Sequence, residues 1–454
     1  MRKRALQKNH LFWIVILVVC ISILPWFPYA IFINDIFSND AMDTTADEVT
    51  SEMTTTTLTD TTDTTVDELG SETSAIKLAE VDAEQDSTYL DYPNAHTTVN
   101  GISYVAVYGY SVAGKLTVLN ATNSSHITYI SSKQSAYTNH LESTEATSDG
   151  QYVYTVQRNW NGSVSMYNAT NPLHLIRMTS RAMNTSCRGM YLEMDEQENF
   201  LYVGADNYMK IYNITNKSAG QLDYVGCIYL HDVCPYGIFW RQHIVGDTLY
   251  CPVGYHAPDA SMNNKGLRIY DISNRSSPEY KNSLNWTTTY AWDCHIFMHS
   301  NGFQYLVFGG FSQYTPFKKT LVQCYNISAG NATFPVYMWT LNTLYPGGNM
   351  SNSFGAVFND YLILRNENYN TSAWNSGICV YNLTDINHPT LFTRLSGIGS
   401  PNYLSTIHYI DGDKNNSDRS VYLLSMNNDA FISLDWTWNN ASSCFQTDVT
   451  KIVP

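Results

Sequence analysis

The chain has 454 residues, 44% hydrophobic and 14% charged, with a net charge of −15. That charge is concentrated in one place: residues 34–87 contribute −14, residues 1–10 contribute +4, and residues 88–454 only −5. The C-terminal bulk is long enough for a sizeable core, and no part of the chain offers the basic stripe that nucleic acid requires.

Residues 1–10 hold Arg2, Lys3, Arg4 and Lys8, and residues 11–33 then run uncharged from Leu11 to Ile33. Such a run is long enough to span a bilayer, and basic residues before it with Asp35 after it place the N-terminus in the cytoplasm. A type II signal anchor is expected. The alternative is a cleaved signal peptide ending at Ala30, against which Pro28 stands where a small residue is wanted and the apolar run continues.

Residues 34–87 carry fifteen acidic residues against the single Lys77, and thirteen of the thirty residues from Thr44 to Thr73 are Thr. Too little is apolar there to repay the entropy of folding, so a disordered stalk open to O-glycosylation is expected.

From residue 88 to residue 454 one phrase recurs: an alternating apolar strand ending in Asn or Asp, then a further residue, then Ser or Thr. Its copies end at Asn120, Asn168, Asn213, Asp271, Asn326, Asn382 and, degenerately, Asp435, separated by 48, 45, 58, 55, 56 and 53 residues. Each unit is too small to bury its own apolar face and must stack on copies of itself. The period suits a four-stranded β-propeller blade. In the second unit Glu145 to Ser148, Asp149-Gly150, Tyr152 to Tyr154, Asn161-Gly162 and Val164 to Tyr167 read as strands and tight corners of an antiparallel meander. In the sixth, Phe354 to Phe358, Asn359-Asp360, Tyr361 to Leu364 and Gly377 to Tyr381 repeat the scheme. The expectation is all-β: a seven-bladed β-propeller ectodomain on an N-terminal transmembrane helix and a disordered stalk.

The segment from Gly266 through Leu267, Arg268, Ile269, Tyr270, Asp271, Ile272 and Ser273 to Asn274, with Pro278 after it, resembles the LVIVD repeat. Ser376 to Thr384, with Pro389, resembles it as well. The resemblance covers roughly residues 95 to 440. It implies propeller blades in extracellular and surface proteins; Asn replaces the repeat's usual Asp in five copies. A propeller fold carries no activity by itself.

Sixteen Asn-X-Ser/Thr sequons lie beyond residue 33: Asn120, Asn123, Asn161, Asn168, Asn184, Asn213, Asn216, Asn274, Asn285, Asn326, Asn331, Asn349, Asn370, Asn382, Asn415 and Asn440. With strands named A to D from the channel outward, eleven fall on the face of the A–B and C–D turns. Five fall on the face of the B–C loops and D–A links: Asn161, Asn184, Asn285, Asn349 and Asn370. Sugar attachment is one reading of these sites; the other is an Asn that caps a turn through its own side chain.

Eight cysteines follow Cys20 of the membrane segment, an even number that fits disulfides in an oxidising compartment. Eight allow 105 pairings. Only Cys227 with Cys234, close together around a turn, is ranked as a candidate pair.

Three B–C loops are the longest, and they carry aromatics: Tyr255, His256 and Asp259; Phe311, Tyr314 and Phe317; Tyr369 and Trp374. Long loops on a rigid scaffold are where recognition resides, so they form a candidate patch for an extracellular protein or glycan. The alternative is that these rings pack within their own loops. On or beside the A strands stand His96, Glu145, Arg188, His243, His295 and His408, the candidates for channel chemistry. Their offsets from the following turns differ, and scattered water-bonded side chains are the expected outcome.

Sialidases share the plan of tail, anchor, stalk and propeller head, but neither their Ser-X-Asp-X-Gly-X-Thr-Trp turn nor a concentrated Arg cluster is present. CxxC pairs, Gly-X-Ser-X-Gly, His-Glu-X-X-His and phosphate-binding glycine loops are also missing, so no metal, cofactor or catalytic residue is assigned. The expected function is non-enzymatic binding in adhesion, receptor or attachment, with a glycosidase-like or metal-dependent channel enzyme as the alternative.

Overall fold

The computed structural model describes residue 90 and residues 93–452 apart from several connecting segments, with side chains described no further than Phe392. The expected tail, membrane segment and stalk, residues 1–87, lie outside the described residues. Among the described residues no helix is long and apolar enough to cross a membrane.

Period-2 alternation makes these segments strands with one face toward each neighbouring sheet, and they pair as seven antiparallel sheets taken in chain order. Sheet 1 comprises Pro93–Val99, Ile102–Val107, Lys115–Asn120 and Thr128–Gln134; sheet 2 comprises Leu141–Ala146, Tyr152–Gln157, Ser163–Asn168 and Ile176–Ala182. Sheet 3 comprises Tyr191–Met194, Phe200–Ala205, Tyr208–Asn213 and Asp223–Tyr229. Sheet 4 begins with two short pieces, Gly237–Phe239 and His243–Val245, followed by Thr248–Tyr255, Lys265–Asp271 and Glu279–Trp286. Sheet 5 comprises Tyr290–Met298, Gln304–Phe311, Thr320–Asn326 and Val336–Thr343. Sheet 6 has Met350–Ser351 and Ala356–Phe358, then Tyr361–Asn368, Gly377–Asn382 and Thr390–Ser396. Sheet 7 comprises Ile407–Gly412, Ser420–Ser425, Ala430–Asn439 and Cys444–Ile452.

Strands follow in the order A, B, C, D within each sheet, so the A–B and C–D turns share one edge of the stack and the B–C and D–A connections share the other. The A strands of sheets 1 to 5 and Ala356–Phe358 of sheet 6 lie each against the next, and Pro93–Val99 also lies against Ile407–Gly412 of sheet 7.

Apolar residues fill the layers between sheets. Tyr154, Val156, Val164 and Met166 of sheet 2 meet Leu192, Leu201, Val203 and Tyr212 of sheet 3, all buried. Tyr202, Met209 and Ile211 meet Phe239, Leu249, Cys251 and Val253 in the next layer. Burying a side chain of this size contributes about 1.5–3 kcal/mol, so each layer outweighs any single polar contact described below.

The recurring phrase has a definite local structure. Opposite the one or two residues before its Asn or Asp, strand D carries a β-bulge, its extra residue being Ile130, Met178, Val225, Lys281, Met338 and Phe392 in sheets 1 to 6. The Asn then closes the turn. Oδ1 of Asn168 accepts the Thr170 backbone N–H at 3.0 Å and the Thr170 hydroxyl at 2.7 Å. The same pair of bonds forms at Asn120–Thr122, Asn213–Thr215 and Asn382–Thr384. Asp271 and Asn326 accept the backbone N–H of Ser273 and Ser328, each at 2.9 Å. Asn as turn cap is therefore realised in five copies.

The seventh copy departs from expectation. Its strand runs through Asp435 to Asn439, pairing with Cys444–Ile452 without a bulge. Trp436-Thr437-Trp438 continue the alternation past Asp435, so the strand does not end there.

The A–B edge is stitched from sheet to sheet. The Ser148 N–H donates to the Glu198 carboxylate, the Gly246 N–H to Glu196 at 3.1 Å, and the Ser300 N–H to Asp360 at 3.2 Å. Arg275, from the C–D turn of sheet 4, reaches Asp247 at 2.6 Å. That last bond ties two turns of sheet 4 to each other, while Arg275 also approaches Asp195 of the sheet 3 A–B turn at 4.0 Å; the other three join turns of neighbouring sheets.

Candidate functional site

The innermost strands bring one set of charged side chains together, in sheets 3, 4 and 5. Glu193 pairs in register with Tyr202, His243 with Tyr250, and Glu145 of sheet 2 with Tyr154. Each Tyr is the third residue of its B strand, so Glu145, Glu193 and His243 share one register position on successive A strands, despite their unequal offsets in sequence. His295 pairs with Val307, the fourth residue of its B strand, and so stands one step out of this register.

Glu193 lies 3.5 Å from Nδ1 of His243, and the two side chains are only 20% and 17% exposed. The His243 ring meets the His295 ring edge-on at 5.4 Å between centroids, and His295 lies against Phe358 of sheet 6 at 6.1 Å. Beside them Arg241 approaches Asp293 at 3.7 Å, and the backbones of those two residues form a parallel bridge between sheets 4 and 5. Burial by itself favours uncharged His243. The Glu193 carboxylate overrides this by charge and hydrogen bonding, with Asp293 aiding and Arg241 opposing, and the pKa of His243 is raised. Nε2 of His243 is buried and has no hydrogen-bond partner among the described residues. An imidazole held by a carboxylate on one nitrogen, with the other uncommitted, has the form of a proton donor or acceptor.

Of the other channel candidates, His96 is fully buried, 3.4 Å from the Thr98 hydroxyl. Arg188 and the side chain of His408 lie outside the described residues. No group of three His, Cys, Asp or Glu able to hold a metal occurs among the described residues.

The sequence reading missed Glu193, Arg241 and Asp293. A signal existed for the first: Glu193 stands nine residues before Tyr202, just as Glu145 stands nine before Tyr154. It also missed a second polar knot, where Asn94 Nδ2 donates to the Glu142 carboxylate at 2.9 Å and Arg158 approaches it at 3.4 Å. Burial raises the Glu142 pKa despite both contacts. Nearby, Tyr108 stacks on His140 at 3.6 Å.

The loop patch falls beyond view. His256, Asp259, Tyr314, Phe317, Tyr369 and Trp374 lie outside the described residues; Tyr255 and Phe311 end strands of sheets 4 and 5, but their side chains are not described. Among sequons, Asn120, Asn123, Asn168, Asn213, Asn216, Asn274, Asn326 and Asn382 lie at C–D turns, and Asn184 follows the last strand of sheet 2. Asn285 is on Glu279–Trp286, its side chain not described. Asn161, Asn331, Asn349, Asn370, Asn415 and Asn440 lie outside the described residues.

Cys227 is exposed on Asp223–Tyr229 as a free thiol, and Cys234 lies outside the described residues. Cys251, Cys294 and Cys324 are also free thiols, and they and Cys379 are buried, where they pack as small apolar residues. Burial pushes the thiols of Cys251 and Cys294 well up. The even cysteine count thus arises differently from the disulfide framework expected: at least four of these residues are core positions.

Meandering four-stranded sheets stacked through their faces, with polar side chains converging from the A strands, define a β-propeller. Two segments of it, residues 197–223 and 261–285, match the family model described as LVIVD repeat. Among solved structures the fold is similar to the Pseudomonas aeruginosa periplasmic gluconolactonase, at 12% identity over 78% of this chain and 99% of that one, with a TM-score of 0.51. It is likewise similar to the Cps50 β-propeller domain from Myceliophteria thermophila, at 11% identity over 74% and 93%, with a TM-score of 0.51. At such identities the likeness concerns the fold alone. No curated protein matches the chain.

Proposed function

We propose that the chain is a type II membrane glycoprotein: residues 1–10 cytoplasmic, 11–33 the anchor, 34–87 a stalk, and 88–454 a closed seven-bladed propeller. Its B–C and D–A face binds an extracellular protein or glycan. The observation that carries this reading is the difference between the two edges of the stack. On one edge, short turns are bonded across sheets and carry most of the sequons; the connections on the other include the longest loops, with their aromatic residues. Rigid, sugar-bearing turns leave the loop face for recognition. The test is a cell-surface binding screen with the displayed full chain, followed by the Tyr314→Ala and Trp374→Ala variants against the partner recovered. Hot-spot behaviour predicts weakening of roughly tenfold or more. Undiminished binding after both loops are replaced contradicts the patch.

A second reading, hydrolytic chemistry in the channel, is favoured by the Glu193–His243 arrangement with its uncommitted Nε2. It requires turnover of an ester, lactone or glycoside that disappears in both Glu193→Gln and His243→Ala. A screen of such substrates separates the two readings.

A further inference from the structure

Two sequons stand directly across an edge from exposed aliphatic side chains. Asn168 pairs with Ile176 and Asn326 with Val336, at the point where strand D begins. Ile176 is 62% exposed and Val336 49%, and the same two turns expose Leu173 at 59% and Phe334 at 65%. Strands Ile176–Ala182 and Val336–Thr343 are the outermost of their sheets, with one backbone edge unpaired within the sheet. An open edge bearing apolar side chains is an aggregation hazard that folded proteins cover. In sheets 1, 3 and 6 the residue across from the Asn is polar instead: Thr128, Asp223 and Thr390.

We propose that the first sugar of an N-linked glycan on Asn168 and on Asn326 rests on Ile176 and Val336 respectively, its apolar C–H face covering the aliphatic side chain. The proposal rests on the reading of the chain as a glycoprotein. Three features point to it. Directly opposed residues on paired strands place their side chains on one face within about 5.5 Å, the reach of the first sugar ring. The turn at each site engages Oδ1 of the Asn, through Thr170 and Ser328, so the amide nitrogen that would carry the sugar is no part of the turn bond. Finally, the apolar residue occurs beside an attachment site that supplies its own occupant, tethered at high effective concentration. Ordering the sugar against the strand also hides the open edge.

The test uses the full chain made in cells that perform N-glycosylation. Glycopeptide mass spectrometry measures occupancy at all sixteen sequons. Thermal midpoints are then compared for Asn168→Asp and Asn326→Asp, alone and combined with Ile176→Thr and Val336→Thr. Asp is the chosen replacement because Asp271 already makes the same turn. Loss of the glycan is expected to lower the midpoint by about 1–2 °C in the native background and to have no such effect once the aliphatic residue is replaced. Asn213→Asp, with Asp223 across, is expected to show no coupling to Asp223→Thr. Occupied sites with equal shifts in both backgrounds overturn the proposal and leave the glycoprotein reading standing. Sugars elsewhere but none at Asn168 and Asn326 do the same. Sixteen empty sequons overturn both.

Discussion

His243 and Glu193 face each other at 3.5 Å across the seam between sheets 3 and 4. The contact lies beside a second polar link at this seam, the buried Gln242 amide donating to the Tyr191 and Tyr202 carbonyls at 3.2 Å each, and the His295 ring extends it to sheet 5. It has a consequence for pH. The folded-state pKa of His243 lies above its ordinary value of about 6.5, so the stabilisation is complete below that value and is lost as pH rises through the raised one. The thermal midpoint of the native chain is therefore expected to fall with rising pH above the ordinary imidazole range, relative to Glu193→Gln. Parallel midpoint curves for the two proteins contradict this.

The turn that ends each phrase makes a separate prediction. Asn168→Ala removes the acceptor for both Thr170 donors and is expected to cost about 1 kcal/mol in urea unfolding. Asn168→Asp keeps the acceptor, as Asp271 does in sheet 4, and is expected to cost much less. Equal losses for the two variants contradict a role for the oxygen.

Close packing between sheets 3 and 4 is tested at Gly226. A Cβ there would lie 2.6 Å from the Arg275 carbonyl oxygen, a backbone atom with little freedom to yield. Gly226→Ala is expected to cost about 1–3 kcal/mol. Gly204→Ala, whose nearest neighbour is the Phe239 Cβ at 3.3 Å, is expected to cost less. The reverse order in urea unfolding contradicts the packing described.

Much of the fold was legible because the signals are local. Asp149-Gly150 turns where its sequence says, with Gly150 at φ 70° and Asp149 Oδ1 accepting from Gln151. The phrase was read as a strand end, and its Asn or Asp encodes the turn that follows, whether Tyr or, at Leu119, Leu precedes it. Only the seventh copy, where Trp436-Thr437-Trp438 follow Asp435, continues as strand. The polar group in the channel was only half legible. His243 and His295 stood out by residue type, whereas Glu193, Arg241 and Asp293 acquire meaning only from partners about 50 residues away on the next A strand. The cysteines misled for a related reason: a count cannot distinguish a buried thiol between sheets from half of a disulfide.

The central claim is a membrane-tethered propeller whose turn edge carries sugars and whose loop face binds. Glycopeptide mapping of the full chain from a secretory-pathway host tests it most directly. The account predicts N-linked glycans on the C–D turns, at Asn120, Asn168, Asn213, Asn326 and Asn382, on a chain that remains with the membrane fraction. A soluble chain with all sixteen sequons unmodified would contradict it.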